Sequence, residues 1–124
     1  MAKLWLISGS INAFLAVALG AFGAHGLKQH LSADLLQTWE TAVHYHQIHA
    51  LGLILIGLLI RWMPGYSLLN WSGALLLAGI ILFSGSLYVL CLTGVKSLGI
   101  ITPFGGLAFL AGWLVLTIGF FKKF

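Results

Sequence analysis

Long stretches without a charged residue constrain the fold of this chain more than any other feature. They run from Leu4 to Leu27, Thr41 to Ile60, Trp62 to Val95 and Ser97 to Phe121. A helix of about 20 apolar residues crosses the hydrocarbon core of a bilayer. These stretches are continuously apolar, whereas membrane β-strands alternate. We therefore predict an all-α fold, an integral membrane four-helix bundle. It forms a single domain, 1–124, with spans at about 4–24, 43–60, 68–92 and 103–121.

The composition excludes several classes of protein. Of the 124 residues, 60% are hydrophobic and 6% are charged, whereas soluble domains carry roughly 25% charged residues. Such a chain has too few charges to cover its surface in water, which excludes a soluble enzyme or a disordered segment. The six Lys and Arg residues are scattered, so no basic stripe is available to bind nucleic acid.

The second span is preceded by a segment that extends the predicted helix. No proline interrupts Ser32–Ile60, Ser32 is a plausible N-cap, and Asp34 lies in the favourable first turn. A helix of this length measures roughly 40 Å, which exceeds a hydrocarbon core of about 30 Å. We therefore expect Ala33 to about Ala42 to form an interfacial amphipathic extension. Its apolar side comprises Leu35, Leu36, Trp39 and Val43.

The distribution of lysine and arginine predicts the orientation. With four spans, both termini lie on one side of the membrane. That side holds Lys3, Arg61, Lys122 and Lys123, and the other side holds Lys28 and Lys96. The positive-inside rule then predicts that both termini lie in the cytoplasm.

Polar residues gather toward the predicted non-cytoplasmic side. They comprise His25, His30, His44, His46, His49, Ser84, Ser86, Tyr88, Thr93 and Thr102. The other half of the bundle is almost purely apolar apart from Ser8, Ser10 and Asn12. Polar side chains at membrane depth usually face the bundle interior or a water-filled cavity. We expect the Asn12 amide to bond a neighbouring helix, because an unpaired amide is costly in lipid.

The histidines allow more than one interpretation. His46 and His49 are three residues apart and share a helix face. With His25 they are candidate metal ligands, and His25 opposite His46 or His49 is a candidate haem pair. The alternative is that these rings bond backbone, water or lipid headgroups. Zinc-finger and HExxH spacings are absent, so the sequence assigns no metal site and we expect no cofactor.

Glycines recur at spacings that favour close helix packing. Gly20 and Gly23 are three residues apart, and Gly20 and Ala24 are four apart. Small residues at such spacings let helix backbones approach closely, within one bundle or between two copies. The candidate packing positions are Gly20, Gly23, Gly26, Gly85, Gly105 and Gly106.

Four ordered motifs span most of the chain. They are GAFGAHG (20–26), TWETAVHYHQIHALGL (38–53), LFSGSLYVL (82–90) and TPFGG (102–106). In this order they resemble the YgdD-like family of small inner-membrane proteins, a family defined by a domain of unknown function. The resemblance implies a four-helix protein of the cell inner membrane. It does not imply an activity.

Catalytic groups are missing from the predicted spans. No carboxylate lies deep within a span, and no set of nucleophile, base and acid is present. We therefore expect a non-enzymatic binding or accessory protein of a membrane complex, which contacts the lipid bilayer and a membrane-protein partner or a second copy. An oligomeric small-solute transporter or channel, and a histidine-based metal or haem module, remain as alternatives. The candidate binding cluster comprises His25, Glu40, Tyr45, His49, Ser84, Ser86, Tyr88 and Thr102.

Overall fold

Four helical segments are long and apolar enough to cross a membrane in the computed structural model, which describes all 124 residues. The first two are α1 (Ala2–His25) and α2 (Ala33–Trp62). The third consists of α3 (Ser67–Gly79), a π-helical turn (Ile80–Gly85) and α4 (Ser86–Thr93). A 3₁₀ turn (Lys96–Ile100) leads into α5 (Thr102–Lys123), which completes the fourth. No strand is present, so the predicted all-α, four-helix membrane architecture is confirmed.

Local sequence determines where the helices begin and end. The Ser32 hydroxyl accepts a hydrogen bond from the Leu35 N–H at 3.2 Å, which is the predicted N-cap of α2. Pro103 lies in the first turn of α5, where its missing N–H costs nothing. Gly65 (φ 82°) and Gly94 (φ 72°) are left-handed, and they provide the turns after α2 and α4.

The two termini lie at one end of the bundle, which we call the termini end. There the rings of Trp62 and Phe124 are 6.0 Å apart, and the Tyr66 hydroxyl donates to the Gly119 carbonyl at 2.7 Å. The Trp5 indole N–H also donates to Asn70 Oδ1 at 2.9 Å, which joins α1 to α3. The connections 26–32 and 94–101 therefore lie at the opposite end.

Helix α1 packs mainly along α2, and α5 packs mainly along α3. Helix α2 also contacts α3, the π-helical turn and α4, so it occupies the middle of the bundle. A larger apolar core fills the termini end and the middle, and a smaller core of Leu27, Trp39, Val43 and Cys91 fills the opposite end. The bundle therefore has two apolar cores along its length.

The first turns of α2 form the predicted helical extension, which is continuous with the second span. Their apolar side packs against the other helices. Trp39 is only 1% exposed, and its indole N–H donates to the Leu19 carbonyl at 2.8 Å. Leu35 and Leu36 pack against the smaller core. The apolar side of this segment is therefore covered by protein, because α1 and α4 extend far enough to bury it.

The π-helical turn interrupts what the sequence predicts as one regular helix. The Ser84 hydroxyl, fully buried, donates to the Ala42 carbonyl of α2 at 2.8 Å. On the other side, Gly105 of α5 lies directly against the backbone of Leu82 and Phe83. The widened turn thus contacts α2 and α5 at the same level. Single π-helical turns of this kind are frequent at functional sites.

Candidate functional site

A chain of hydrogen bonds crosses three helices through His46, which is 3% exposed. Its Nε2 lies 2.8 Å from Asn12 Oδ1 on α1, and its Nδ1 lies 2.9 Å from the Tyr88 hydroxyl on α4. The prediction that Asn12 bonds a neighbouring helix is confirmed. His46 therefore joins α1, α2 and α4.

The partners of His46 determine how its protons are arranged. The Asn12 amide nitrogen donates to the Ser8 carbonyl at 2.9 Å, which leaves Asn12 Oδ1 as an acceptor. His46 Nε2 must then carry a proton and donate it, and the neutral ring accepts from the Tyr88 hydroxyl at Nδ1. Both ring nitrogens are used within the protein.

His49 is held in the opposite tautomer. The Trp113 indole N–H can only donate, and it lies 3.0 Å from His49 Nε2. His49 Nδ1 therefore carries the proton and donates to the Tyr45 carbonyl at 2.6 Å. The ring also stacks on Phe109, with 3.5 Å between ring centroids. His49 thus fastens α2 to α5.

The hydroxyl residues of the candidate binding cluster also join helices. Ser84 bonds Ala42 as described, and the Ser86 and Thr102 hydroxyls lie 2.6 Å apart, between α4 and α5. Ser86 also donates to the Phe83 carbonyl at 2.9 Å. Every buried side-chain nitrogen and oxygen atom has a hydrogen-bond partner. The interior hydroxyl groups Ser84, Ser86 and Thr102 therefore join neighbouring helices by hydrogen bonds.

Two residues of the candidate cluster lie apart from the others. His25, at the end of α1, and Glu40, near the start of α2, are both exposed. His46 is level with Asn12 of α1, whereas His25 lies 13 residues further along α1, about 20 Å at 1.5 Å per residue. His49 lies almost one turn further from His25 along α2, so the structure does not bring the candidate haem or metal pairs together. No group of three or more His, Cys, Asp or Glu side chains could hold a metal ion.

Only some of the candidate packing glycines lie between spans. A Cβ at Gly20 would be 3.2 Å from Val43, Gly23 lies against the Trp39 indole, and Gly105 lies against the π-helical turn. Gly26 and Gly85 differ from the expectation, and Gly106 makes only a loose contact with another span. Gly26 adjoins Phe22 of its own helix, a Cβ at Gly85 would meet only its own segment, at 3.8 Å, and one at Gly106 would meet only Phe83, at 3.9 Å.

A groove of about 690 Å³ opens between α2 and α5 beside the π-helical turn. We call it the aromatic groove. The Tyr45 ring, 39% exposed, lies 4.6 Å from that of Phe83. The Tyr45 hydroxyl has no hydrogen-bond partner within the chain. The groove is lined by Tyr45, Ile48, His49, Phe83, Pro103, Gly106, Leu107, Phe109, Leu110 and Trp113.

The sequence-based candidates include only part of this region. Tyr45 and His49 are among them, but Phe83, Phe109 and Trp113 are not. Phe109 and Trp113 are four residues apart and share a face of α5, and that spacing is the signal that identifies them. Within an apolar span the same spacing also describes ordinary core packing, so it does not single out a groove.

Comparison with known proteins identifies the family but not an activity. A family described as "Protein of unknown function (DUF423)" matches residues 19–106, a range that contains all four sequence motifs. A UPF0382 membrane protein of Staphylococcus saprophyticus is 51% identical over 97% of this chain and 98% of its own length.

Two further relatives support the same assignment. UPF0382 membrane protein YwdK of Bacillus subtilis is 48% identical over 97% of this chain and 98% of its own length. A UPF0382 membrane protein of Staphylococcus aureus is 50% identical over 97% of both chains. No solved structure matches. The chain is a multi-pass membrane protein, and it belongs to the DUF423 family of proteins of unknown function.

Proposed function

We propose that the protein is a non-enzymatic accessory subunit of a plasma-membrane complex, and that a transmembrane helix of a partner protein binds in the aromatic groove. The observation that carries this proposal is the division of polar groups. The buried ones are all paired internally, whereas the Tyr45 hydroxyl is exposed at the groove without a partner. His49 lines the groove, and Ser84, Ser86 and Thr102 join the helices beside it. His25, Glu40 and Tyr88 lie outside it.

The groove suits a helix because its walls are apolar, aromatic and continuous with an exposed face of α5. Phe104, Leu107 and Leu110 on that face are each more than 60% exposed. Aromatic side chains dominate the energetics of interfaces, since they bury large areas with few rotamers to order. Gly106 lets another backbone approach closely, as small residues do at membrane helix contacts.

The proposal includes the location of the protein. Both termini lie in the cytoplasm, and the groove opens toward the non-cytoplasmic half of an inner membrane. The charge distribution and the YgdD-like motifs support this part of the proposal. The oligomeric transporter and the histidine-based module have less support, because the interior is closely packed and both buried histidines are fully bonded.

Site-specific photo-crosslinking in intact cells tests the proposed function. A photoreactive amino acid at Leu107, in the groove, should give one adduct of discrete mass. The same group at Phe14, a lipid-facing residue of α1 that is 72% exposed, is the matched control and should give none.

A groove-filling variant provides the second arm. Gly106→Trp should abolish the Leu107 adduct, since a side chain there meets little of its own fold and projects into the groove. Equal adducts from Leu107 and Phe14, or an adduct that survives Gly106→Trp, would contradict a partner in this groove. A native mass spectrum of the gently extracted protein that shows only bare monomer or homo-oligomer would contradict a stable accessory role.

A further inference from the structure

A second groove follows the seam between α1 and α2, and we call it the seam groove. Its outer part, of about 260 Å³, is lined by polar Glu40, His44 and Gln47. Its inner part, of about 240 Å³, is lined by Val17 and Leu51 and shares Gln47 with the outer part. Gln47 lines both parts, which lie next to each other along the same two helices. The groove is polar at its outer end and apolar toward the middle of the bundle.

The polar residues of the seam groove are arranged in order along α2. Glu40, His44 and Gln47 are spaced by four and three residues, so they lie on one helix face. At 1.5 Å per residue, Gln47 lies about 10 Å deeper than Glu40. All three are exposed, and none of their side chains bonds another residue of the chain. They are therefore available to a ligand.

The base of the outer part is formed by a buried, hydrogen-bonded ring and by small residues. Gly20 and Gly23 of α1 lie there, and Gly23 contacts the indole of Trp39. The bond from the Trp39 N–H to the Leu19 carbonyl fixes that indole in place. Small residues on α1 and a fixed ring on α2 thus maintain an open space beside Glu40. A groove that is largely pre-formed binds its ligand with little cost of ordering.

We propose that the seam groove binds a phospholipid whose headgroup carries a primary ammonium, of the phosphatidylethanolamine type. The Glu40 carboxylate pairs with the ammonium, and His44 and Gln47 donate hydrogen bonds to the phosphate and ester oxygens. One acyl chain lies along Val17 and Leu51. The order of groups along the groove, from acid through donors to apolar wall, matches their order along such a lipid.

Charge complementarity selects this headgroup over an anionic one. Glu40 is one of only two acids in a chain of net charge +4, and it is the one that lines the groove. A lipid whose headgroup lacks a cation leaves the carboxylate unpaired and places its phosphate near a like charge. The site does not depend on the aromatic groove, so this inference goes beyond the proposed accessory role and can fail separately from it.

Native mass spectrometry of the full-length protein, titrated with lipids of matched acyl chains, tests the proposal. Phosphatidylethanolamine should form a saturable one-to-one adduct, and phosphatidylglycerol should bind at least about tenfold more weakly. Glu40→Gln should reduce phosphatidylethanolamine binding by a similar factor and should strengthen phosphatidylglycerol binding, because it removes the like charge near the phosphate. Asp34→Asn, which alters the other acid, lies outside the groove and should change neither.

A charge reversal and an apolar variant complete the test. Glu40→Lys should reverse the preference, so that phosphatidylglycerol binds better than phosphatidylethanolamine. Val17→Trp should weaken the phosphatidylethanolamine adduct by filling the inner part of the groove. Equal binding of the two lipids by the wild type, or a Glu40→Gln variant that behaves like Asp34→Asn, would overturn the proposal.

Discussion

His46 shows how one residue can join three membrane helices. In hydrocarbon there is no water to pair with an amide, an imidazole or a phenol, so each must find a partner in the protein. Tyr88, His46 and Asn12 meet this requirement by bonding one another in a series. The last hydrogen bond of the series runs from the Asn12 amide to the Ser8 carbonyl. With a neutral His46 ring, each donor in this series has one acceptor.

Removing the Tyr88 hydroxyl, the first donor in this series of hydrogen bonds, should destabilise the fold by a modest amount. Tyr88→Phe keeps the ring and removes the hydroxyl, so His46 Nδ1 loses its donor. Hydrogen bonds between membrane helices contribute about 0.6 kcal/mol on average and up to about 1.7 kcal/mol. We expect Tyr88→Phe to lower the free energy of unfolding within that range, measured by denaturation in mixed micelles. Equal stability of the variant and the wild type would contradict the assigned bond.

Two further variants calibrate that result. His46→Ala leaves both Asn12 Oδ1 and the Tyr88 hydroxyl without a hydrogen-bond partner. It should therefore lower the free energy of unfolding by more than Tyr88→Phe does, by about 1–3 kcal/mol. Tyr45→Phe is the matched control, because the Tyr45 hydroxyl has no partner in the chain, and its stability should equal that of the wild type.

At the residue scale, the sequence predicts which groups need partners but not which partners they take. The position of Asn12 within an apolar span predicts a bond to another helix, and that bond exists. Its partner is His46, on a different helix, and spacing along one chain contains no information about such pairs. The shared face of His46 and His49 is likewise predictable, whereas their opposite tautomers depend on Tyr88 and Trp113.

Two adjacent glycines of α5, Gly105 and Gly106, differ in how closely they approach the π-helical turn. A Cβ on Gly105 would overlap the backbone of Leu82 and Phe83, and a Cβ on Gly106 would meet only Phe83, at 3.9 Å. Backbone atoms cannot move aside as the end of a flexible side chain can. The first glycine is therefore required by packing, and the second leaves space in the aromatic groove.

A pair of alanine substitutions should reveal this difference. Gly105→Ala should destabilise the protein by about 1–3 kcal/mol or more, since α5 must move away from the π-helical turn. Gly106→Ala should be neutral or stabilising, because alanine is favoured over glycine within a helix by about 1 kcal/mol. Thermal denaturation of the two variants side by side provides the measurement. If Gly106→Ala were as unstable as Gly105→Ala, the close contact between α5 and the π-helical turn would not be specific to Gly105.

The attachment of α2 to α1 through Trp39 permits a similar test. Trp39→Phe removes the bond to the Leu19 carbonyl and leaves a void beside Gly23, so we expect a loss of about 1–3 kcal/mol in the free energy of unfolding. Trp71→Phe, at a site that is 65% exposed, should change the free energy of unfolding by less than about 0.5 kcal/mol. Equal effects of the two substitutions would mean that Trp39 is not a structural contact.

The π-helical turn is the element that the sequence does not predict. Uncharged stretches predict the spans, since a span depends on total hydrophobicity. Ser32 and Pro103 predict where helices begin, because one caps the first turn and the other fits it. Ile80–Gly85 contains no proline, and its glycine does not distinguish it, because glycine is common in regular transmembrane helices. The widened turn depends on tertiary contacts, with Ser84 bonded to α2 and Gly105 against the backbone. Those contacts exist only once the four spans are assembled.

For the whole molecule, the positions of the two proposed binding grooves distinguish the two ends of the bundle, whereas hydrogen bonds between helices occur at both ends. The termini end has an apolar core, with Trp5, Leu69 and Leu116 among its buried residues. Both grooves lie in the half of the bundle toward the opposite end. The hydrogen bonds that Ser84 and Ser86 make between helices lie in the same half. The two proposed binding grooves therefore face the same leaflet of the membrane. Which leaflet that is depends on the orientation in the membrane.

Cysteine labelling in intact spheroplasts tests the orientation. Replacing Cys91, the only cysteine and a buried one, by alanine provides the background for single cysteines at exposed Gln29, Ser97 and Phe124. Cysteines at 29 and 97 should react with a membrane-impermeant maleimide, and a cysteine at 124 should react only after lysis. These outcomes follow from Lys3, Arg61 and the C-terminal lysines acting as cytoplasmic anchors. The reverse pattern would place both grooves in the cytoplasmic leaflet, so the lipid bound by the seam groove would have to come from that leaflet.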